Sequence, residues 1–161
     1  MIYNVYTDGS CNQGSVMSAN TNGGWAFIVV DDNESIVFSE SAFESNTTNN
    51  RAEMLAIIKS IDFMSNKGFF EDSNNLMLIN CDSAYIVNAF EDGWIDKWKK
   101  NGWKNSKGED VVNQDYWNIF IEQKGQYNIK FKKVKRRSNP YAKKVDALAR
   151  EKMRNLVENS H

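Results

Sequence analysis

The run Leu76-Met77-Leu78-Ile79 constrains this chain more than any other stretch. Four consecutive apolar residues without alternation suit a strand buried on both faces, and strands of that kind pair in parallel under covering helices. The run continues through Asn80 and Cys81 to Asp82. Ile2–Asp8 is similar: mostly apolar or β-preferring, closed by an aspartate, with Gly9 expected to turn the chain sharply. A carboxylate on the end of a rigid central strand is held in place without a loop having to order it. An isolated Asp-Gly is most simply a turn. The weight here comes from two strands closed in the same way.

Between these strands lie a polar loop over 12–22, a strand Gly24–Val30, a turn at 31–34 and a third strand around Ile36–Phe38. Their short connections favour antiparallel hairpins. The polar run Ser45–Asn50 then opens a helix expected from about Arg51 to Lys67, with Met54, Leu55, Ile58 and Ile61 as its buried stripe and Gly68 as its stop. A short helix Ser83–Phe90 follows the Leu76 strand. After it come a helix around Gln114–Lys124, ended by Gly125, an alternating strand Tyr127–Lys132, a basic loop Lys135–Tyr141 and a last helix of about Lys143–Val157. Three strands, then helix, strand, helices, strand and helix describe an α/β domain: a mixed sheet with helices on its faces. In such sheets sites form at the carboxyl ends of the strands. A single domain spans 1–161.

Two further acids fall in comparable places. Glu53 is expected in the first turn of the first long helix and Asp146 in the first turn of the last. Each alone fits an acid favoured near a helix N-terminus. Together with two strand-end aspartates they form a crowd of four carboxylates, which repel one another unless a cation holds them. Oxygen donors without Cys or His favour Mg²⁺, with Mn²⁺ as a substitute. The sole histidine is His161, which makes a zinc site a poor fit. Two such ions about 3.5–4 Å apart are the usual device for in-line displacement at phosphorus.

The net charge of −1 conceals a division. Residues 1–96 hold 3 basic and 14 acidic side chains, and 97–161 hold 17 basic and 7 acidic. A strongly basic second half suits a polyanion, although a run of lysines is often only a solvated face. The apolar runs are too short to span a bilayer, and no basic-then-apolar leader opens the sequence. Two cysteines, Cys11 and Cys81, do not suggest a disulfide framework. An intracellular, cytoplasmic protein without a membrane partner is expected.

Tyr6-Thr7-Asp8-Gly9-Ser10-Cys11, Thr48-Asn49-Asn50-Arg51-Ala52-Glu53, Cys81-Asp82-Ser83 and Val145-Asp146-Ala147-Leu148-Ala149 resemble, in order, the signature blocks of type 1 ribonuclease H. The resemblance implies a ribonuclease H-like fold, with a five-stranded mixed sheet in the order 3-2-1-4-5 and helices on both faces. It implies a monomeric endoribonuclease that hydrolyses the RNA strand of RNA–DNA hybrids with two Mg²⁺ ions, leaving 5′-phosphate and 3′-hydroxyl ends. It makes Asp8, Glu53, Asp82 and Asp146 the catalytic metal ligands. The segment at about 94–108 resembles the family's basic handle, where Lys97, Trp98, Lys99, Lys100 and Lys104 are placed to meet the nucleic acid. Ser10, Cys11, Asn49, Asn50 and Ser83 correspond to positions that face the RNA 2′-hydroxyls, and Thr48 and Arg51 to the DNA-phosphate side. One of the asparagines also suits helix capping.

The chain departs from the pattern twice. Asn12-Gln13-Gly14 lacks the usual proline and glycine spacing. In the loop before Asp146, where many relatives carry a histidine, counting from Val134 puts Arg137 nearest its place. Arginine stays charged at any working pH and cannot shuttle a proton, but it can hold a phosphate. A DNA nuclease or resolvase on the same fold, and a hybrid-binding module without catalysis, are the alternatives. The Thr48–Glu53 block and the handle speak against the first, and the complete set of acids against the second.

Overall fold

The computed structural model describes residues 1–12 and 21–159 of the chain. Most of the polar loop expected over 12–22 lies outside the described residues, and its last residue, Asn22, already belongs to a strand. The sheet consists of β1 (Ile2–Cys11), β2 (Asn22–Val30), β3 (Ile36–Ser45), β4 (Leu76–Cys81) and β5 (Ile129–Lys133). Its order is β3-β2-β1-β4-β5. The two hairpin pairs, β1–β2 and β2–β3, are antiparallel, and β1–β4 and β4–β5 are parallel. This is the mixed sheet in the order 3-2-1-4-5 that the resemblance implied.

Among the described residues five α-helices accompany the sheet: α1 (Asn49–Asn66), α2 (Ala84–Glu91), α3 (Trp94–Lys100), α4 (Gln114–Gln126) and α5 (Pro140–Asn159). Thr48 caps α1, its side chain accepting from the Arg51 amide, and Ser83 caps α2 in the same way from Ile86. The cap of α1 is therefore Thr48 rather than either asparagine. Gly68 follows α1 with φ 78°, the left-handed stop expected there. Gly125 does not stop α4, which runs through it to Gln126, because a lone glycine weakens a helix without breaking it.

Side chains alternate across the sheet. Val5, Phe27 and Ile79 join the main core with Met54, Ile57 and Ile61 of α1, Ile86 of α2 and Trp117 and Phe120 of α4. Ala26 packs on the opposite face with Val145 and Ala149 of α5, beside Tyr6 and Leu148. The handle is fastened to the body by aromatic rings: Trp98 lies 5.4 Å from Trp117 and 6.4 Å from both Trp94 and Trp103. No helix among the described residues is long and apolar enough to cross a membrane.

Two glycines set how closely the layers approach. β1 does not turn at Gly9, as its sequence suggested, but runs straight on to Cys11 against β2. The residue is glycine because α1 passes directly over it: a Cβ there would lie 2.3 Å from the Glu53 amide nitrogen. On the other face a Cβ at Gly24 would lie 2.1 Å from the Ala149 carbonyl oxygen of α5. These close passages draw the helices that carry Glu53 and Asp146 onto the sheet.

Candidate active site

Tyr6 pairs with Asn80 across the parallel β1–β4 ladder. Asp8 and Asp82 each stand two residues further along these neighbouring strands, so the two carboxylates are side by side. Asp8 also accepts a hydrogen bond from the Gly9 amide at 2.9 Å. Glu53 comes from α1 and Asp146 from α5. Neither is in a first helical turn, since α1 begins at Asn49 and α5 at Pro140. Attraction to a helix N-terminus therefore does not account for either acid. The fold brings all four together, as the spacing predicted.

One guanidinium lies among them. Arg136 Nη2 is 3.6 Å from Asp8 Oδ1 and 3.5 Å from Glu53 Oε1, and its Nε is 3.2 Å from Asp82 Oδ2 and 3.9 Å from Asp146 Oδ1. Arg150, one turn along α5, approaches Asp146 at 3.3 Å. Burial pushes the Glu53 carboxyl up to about 7; Arg136 and a hydrogen bond with Ser83 oppose the rise and Asp82 adds to it. Burial likewise holds Asp8 well above the ordinary carboxylate range, against the pull of Arg136 and with the push of Glu53 and Asp146. Both buried acids therefore hold their protons more tightly than free carboxyls, even with a guanidinium present. Four carboxyl groups are hard oxygen donors, of the kind that suits a hard divalent cation rather than a soft one. The Cys81 thiol beside them is pushed up to about 12 by burial, so it stays protonated and offers no nucleophile.

This predicts a pH dependence. Glu53 binds a proton more tightly folded than unfolded. The stability this lends is complete below its ordinary value of 4.5 and is lost as pH rises through about 7. In EDTA, melting temperatures should fall by about 5–10 °C between about pH 5 and about pH 8, and a saturating divalent cation should flatten the profile. A flat profile in EDTA would contradict a crowded, buried Glu53.

Arg136, not Arg137, is the loop residue on the acids. Ser138 donates to the Lys135 carbonyl to close a turn in which Arg137 has φ 58°. Counting along a regular chain cannot see that left-handed residue, which sends the two arginines to different sides. Counting from Val134 singled out Arg137, one residue beyond the arginine that meets the acids. Arg137 instead lines a neighbouring groove with Lys143, Asp146, Arg150 and Arg154.

The other expected contacts are scattered more widely. Ser10 donates to the Met153 sulfur at 3.5 Å, and Cys11 to the Thr47 carbonyl at 3.7 Å. Asn49 is exposed and Asn50 half-buried at the start of α1, whereas Thr48 and Ser83 are buried as caps. Arg51 holds Asp115 through two hydrogen bonds of 3.0 Å, reaches Asn113 at 3.2 Å and stacks 4.0 Å over Tyr116. Lys97, Lys99 and Lys100 lie exposed on α3, while Lys104 pairs with Asp110. Trp98 is half-buried in the aromatic seam, which makes it a fastener of the handle first.

Residues 2–154 match the RNase H family. The ribonuclease H of Caldicellulosiruptor saccharolyticus is 40% identical over 131 residues, covering 81% of each chain. That of Syntrophomonas wolfei is 34% identical over 155 residues, covering 94% of this chain and 96% of its own. In three dimensions, LC11-RNase H1, solved with an RNA/DNA hybrid, superposes with a TM-score of 0.74 at 18% identity, covering 96% of this chain and 99% of its own. LC9-RNase H1, described as a type 1 enzyme with a type 2 active-site motif, gives 0.76 at 23% identity, covering 94% of this chain and 72% of its own. Likeness of this extent runs through every element that carries an acid, and the chain belongs to the ribonuclease H family.

Proposed function

We propose that the protein is an endoribonuclease that hydrolyses the RNA strand of RNA–DNA hybrids, leaving 5′-phosphate and 3′-hydroxyl ends. The observation that carries this reading is the meeting of Asp8, Glu53, Asp82 and Asp146, drawn from four separate elements. The hybrid seen with LC11-RNase H1 supports the choice of substrate.

Asp8, Glu53, Asp82 and Asp146 would hold two Mg²⁺ ions. When bound, such ions supply an activated water and neutralise charge developing on the leaving 3′ oxygen. The carboxylates fix where that chemistry occurs because β1, α1 and α5 carry three of them and Asp82 directly follows β4. Asn49 and Asn50, at the start of α1, face the 2′-hydroxyls that mark RNA in a shallow minor groove, with Ser10, Cys11 and Ser83 shaping the floor. Thr48 and Arg51 border the DNA phosphates, Arg51 trading Asp115 for phosphate. The groove of Arg137, Lys143, Arg150 and Arg154 beside Asp146 suits phosphates of the RNA strand.

Digestion of a labelled hybrid beside duplex RNA, duplex DNA and single-stranded RNA tests the proposal. Only the hybrid should be cut, and the products should accept ligation that requires a 5′-phosphate. Cleavage of duplex DNA at a similar rate would overturn it. Replacing Lys97, Lys99 and Lys100 by alanine should raise KM more than it lowers kcat. It should also make hybrid binding less salt-dependent, by roughly 0.9 in log–log slope for each phosphate that is no longer neutralised. An unchanged slope would place the handle off the substrate path. Arg137→Ala should slow cleavage about ten-fold, or about 1.4 kcal/mol, because a charge-assisted hydrogen bond to phosphate disappears. A parental rate would remove it from the reaction.

A further inference from the structure

Among the described residues, Arg136 is the side chain whose cationic group reaches all four carboxylates. It bridges them in pairs, Nη2 between Asp8 and Glu53 and Nε between Asp82 and Asp146. We propose that Arg136 is a built-in counter-cation of this cluster and that divalent ions and its guanidinium exclude one another. The inference rests on the metal-site reading above.

Size and charge both require the exclusion. Mg²⁺ draws carboxylate oxygens to about 2.0–2.1 Å. The carboxylates cannot close to that distance around an ion while a planar guanidinium lies between them at 3.2–3.9 Å. A guanidinium left in place would also sit against the incoming positive charge, in a half-buried site where screening is weak. Arginine cannot yield by losing its proton. The four carboxylates, outweighing the cost of its burial, hold it still more firmly protonated than usual. It yields by moving. The side chain is 44% exposed, and its backbone is tied independently of it, through Val134 to Cys81 and through the turn from Lys135 to Ser138. The guanidinium can therefore swing out without unfolding the loop. Until ions arrive it offsets part of the repulsion among the acids. The same charge lowers the affinity for ions, so Arg136 tunes how much metal the protein needs.

Calorimetric titration of Mn²⁺ and Ca²⁺ into the parent, R136Q and R136K tests this, with melting curves of all three in EDTA. R136Q should bind ions about ten-fold tighter than the parent. R136K keeps the charge and should stay within about three-fold of the parent. In EDTA, R136Q should melt below the parent and R136K close to it. A merely structural arginine would lower the melting temperature of R136Q without tightening ion binding. Equal ion affinity of parent and R136Q overturns the inference while leaving the metal site intact. A folded parent that binds no ion overturns the metal-site reading and the inference with it.

Discussion

Asp82→Asn should leave the protein folded and reduce hybrid cleavage in Mg²⁺ by at least about a thousand-fold, or about 4 kcal/mol of transition-state stabilisation. The substitution keeps the shape of the side chain and removes one of the four charges that ions need. Asp82 is the most exposed of the four, at 30%, and its 3.2 Å ion pair with Arg136 is partly open to solvent. Removing that ion pair therefore costs little. Against it stands the repulsion that Asp82 exerts on Glu53, which is relieved. The melting temperature in EDTA should hold or rise. Activity and stability thus move in opposite directions, which no general failure of folding can produce. Cleavage near the parental rate would sink the assignment of Asp82 as a metal ligand.

Gly9→Ala should lower both stability and activity, through a single added methyl group. The added Cβ would lie 2.3 Å from the Glu53 amide nitrogen and 2.5 Å from the Ala52 carbonyl carbon. Ordinary separation of such atoms is about 3.5 Å, so the shortfall is about an ångström. Both obstacles are backbone, and no side-chain rotation relieves them. Helix α1 must retreat from β1, opening the layer beneath Met54 and Ile57. Overpacking of this kind costs about 3 kcal/mol. The same retreat carries Glu53 away from Asp8, and an error of about an ångström in a catalytic group costs on the order of a hundred-fold in rate. Urea melts and cleavage assays at a temperature where the variant remains folded separate the two effects. A variant as stable as the parent would mean that α1 does not press on β1 as described.

Much of the architecture was legible because burial leaves periodic traces. The unbroken apolar run at Leu76–Ile79 announced a central parallel strand, and β4 is one, between β1 and β5; its two faces are not equally covered, since Met77 and Ile79 are buried and Leu76 and Leu78 only half-buried. The three leading strands, the polar opening of α1 and its buried stripe followed from local chemistry in the same way. Boundaries were less legible. β3 reaches Ser45 because β2 pairs with it throughout, from Asn22 opposite Ser45 to Val30 opposite Ile36. Nothing in the half-exposed residues after Phe38 announces that partner. The start of α5 at Pro140 was similarly missed, although proline suits a first helical turn and Asn139 caps it by accepting from the Ala142 amide.

By itself, the sequence singled out the four acids that the fold brings together. Two follow apolar strand-like runs and two ride on helices, and the ordered blocks around them are specific. It also placed three adjacent cations, Lys135-Arg136-Arg137, in the loop before Asp146, each within reach of the acids along the chain. Only the tertiary structure decided which cation. The left-handed backbone at Arg137 is a single dihedral choice that no side-chain pattern reports, and it turns Arg136 onto the carboxylates and Arg137 into the groove along α5. The structure also decided why Gly9 and Gly24 are glycines. In sequence Gly9 read as a turn and Gly24 as the start of a strand. In the fold they lie where helices cross the sheet too closely for a Cβ, and that closeness, a property of two distant segments at once, is what brings Glu53 and Asp146 to the two aspartates.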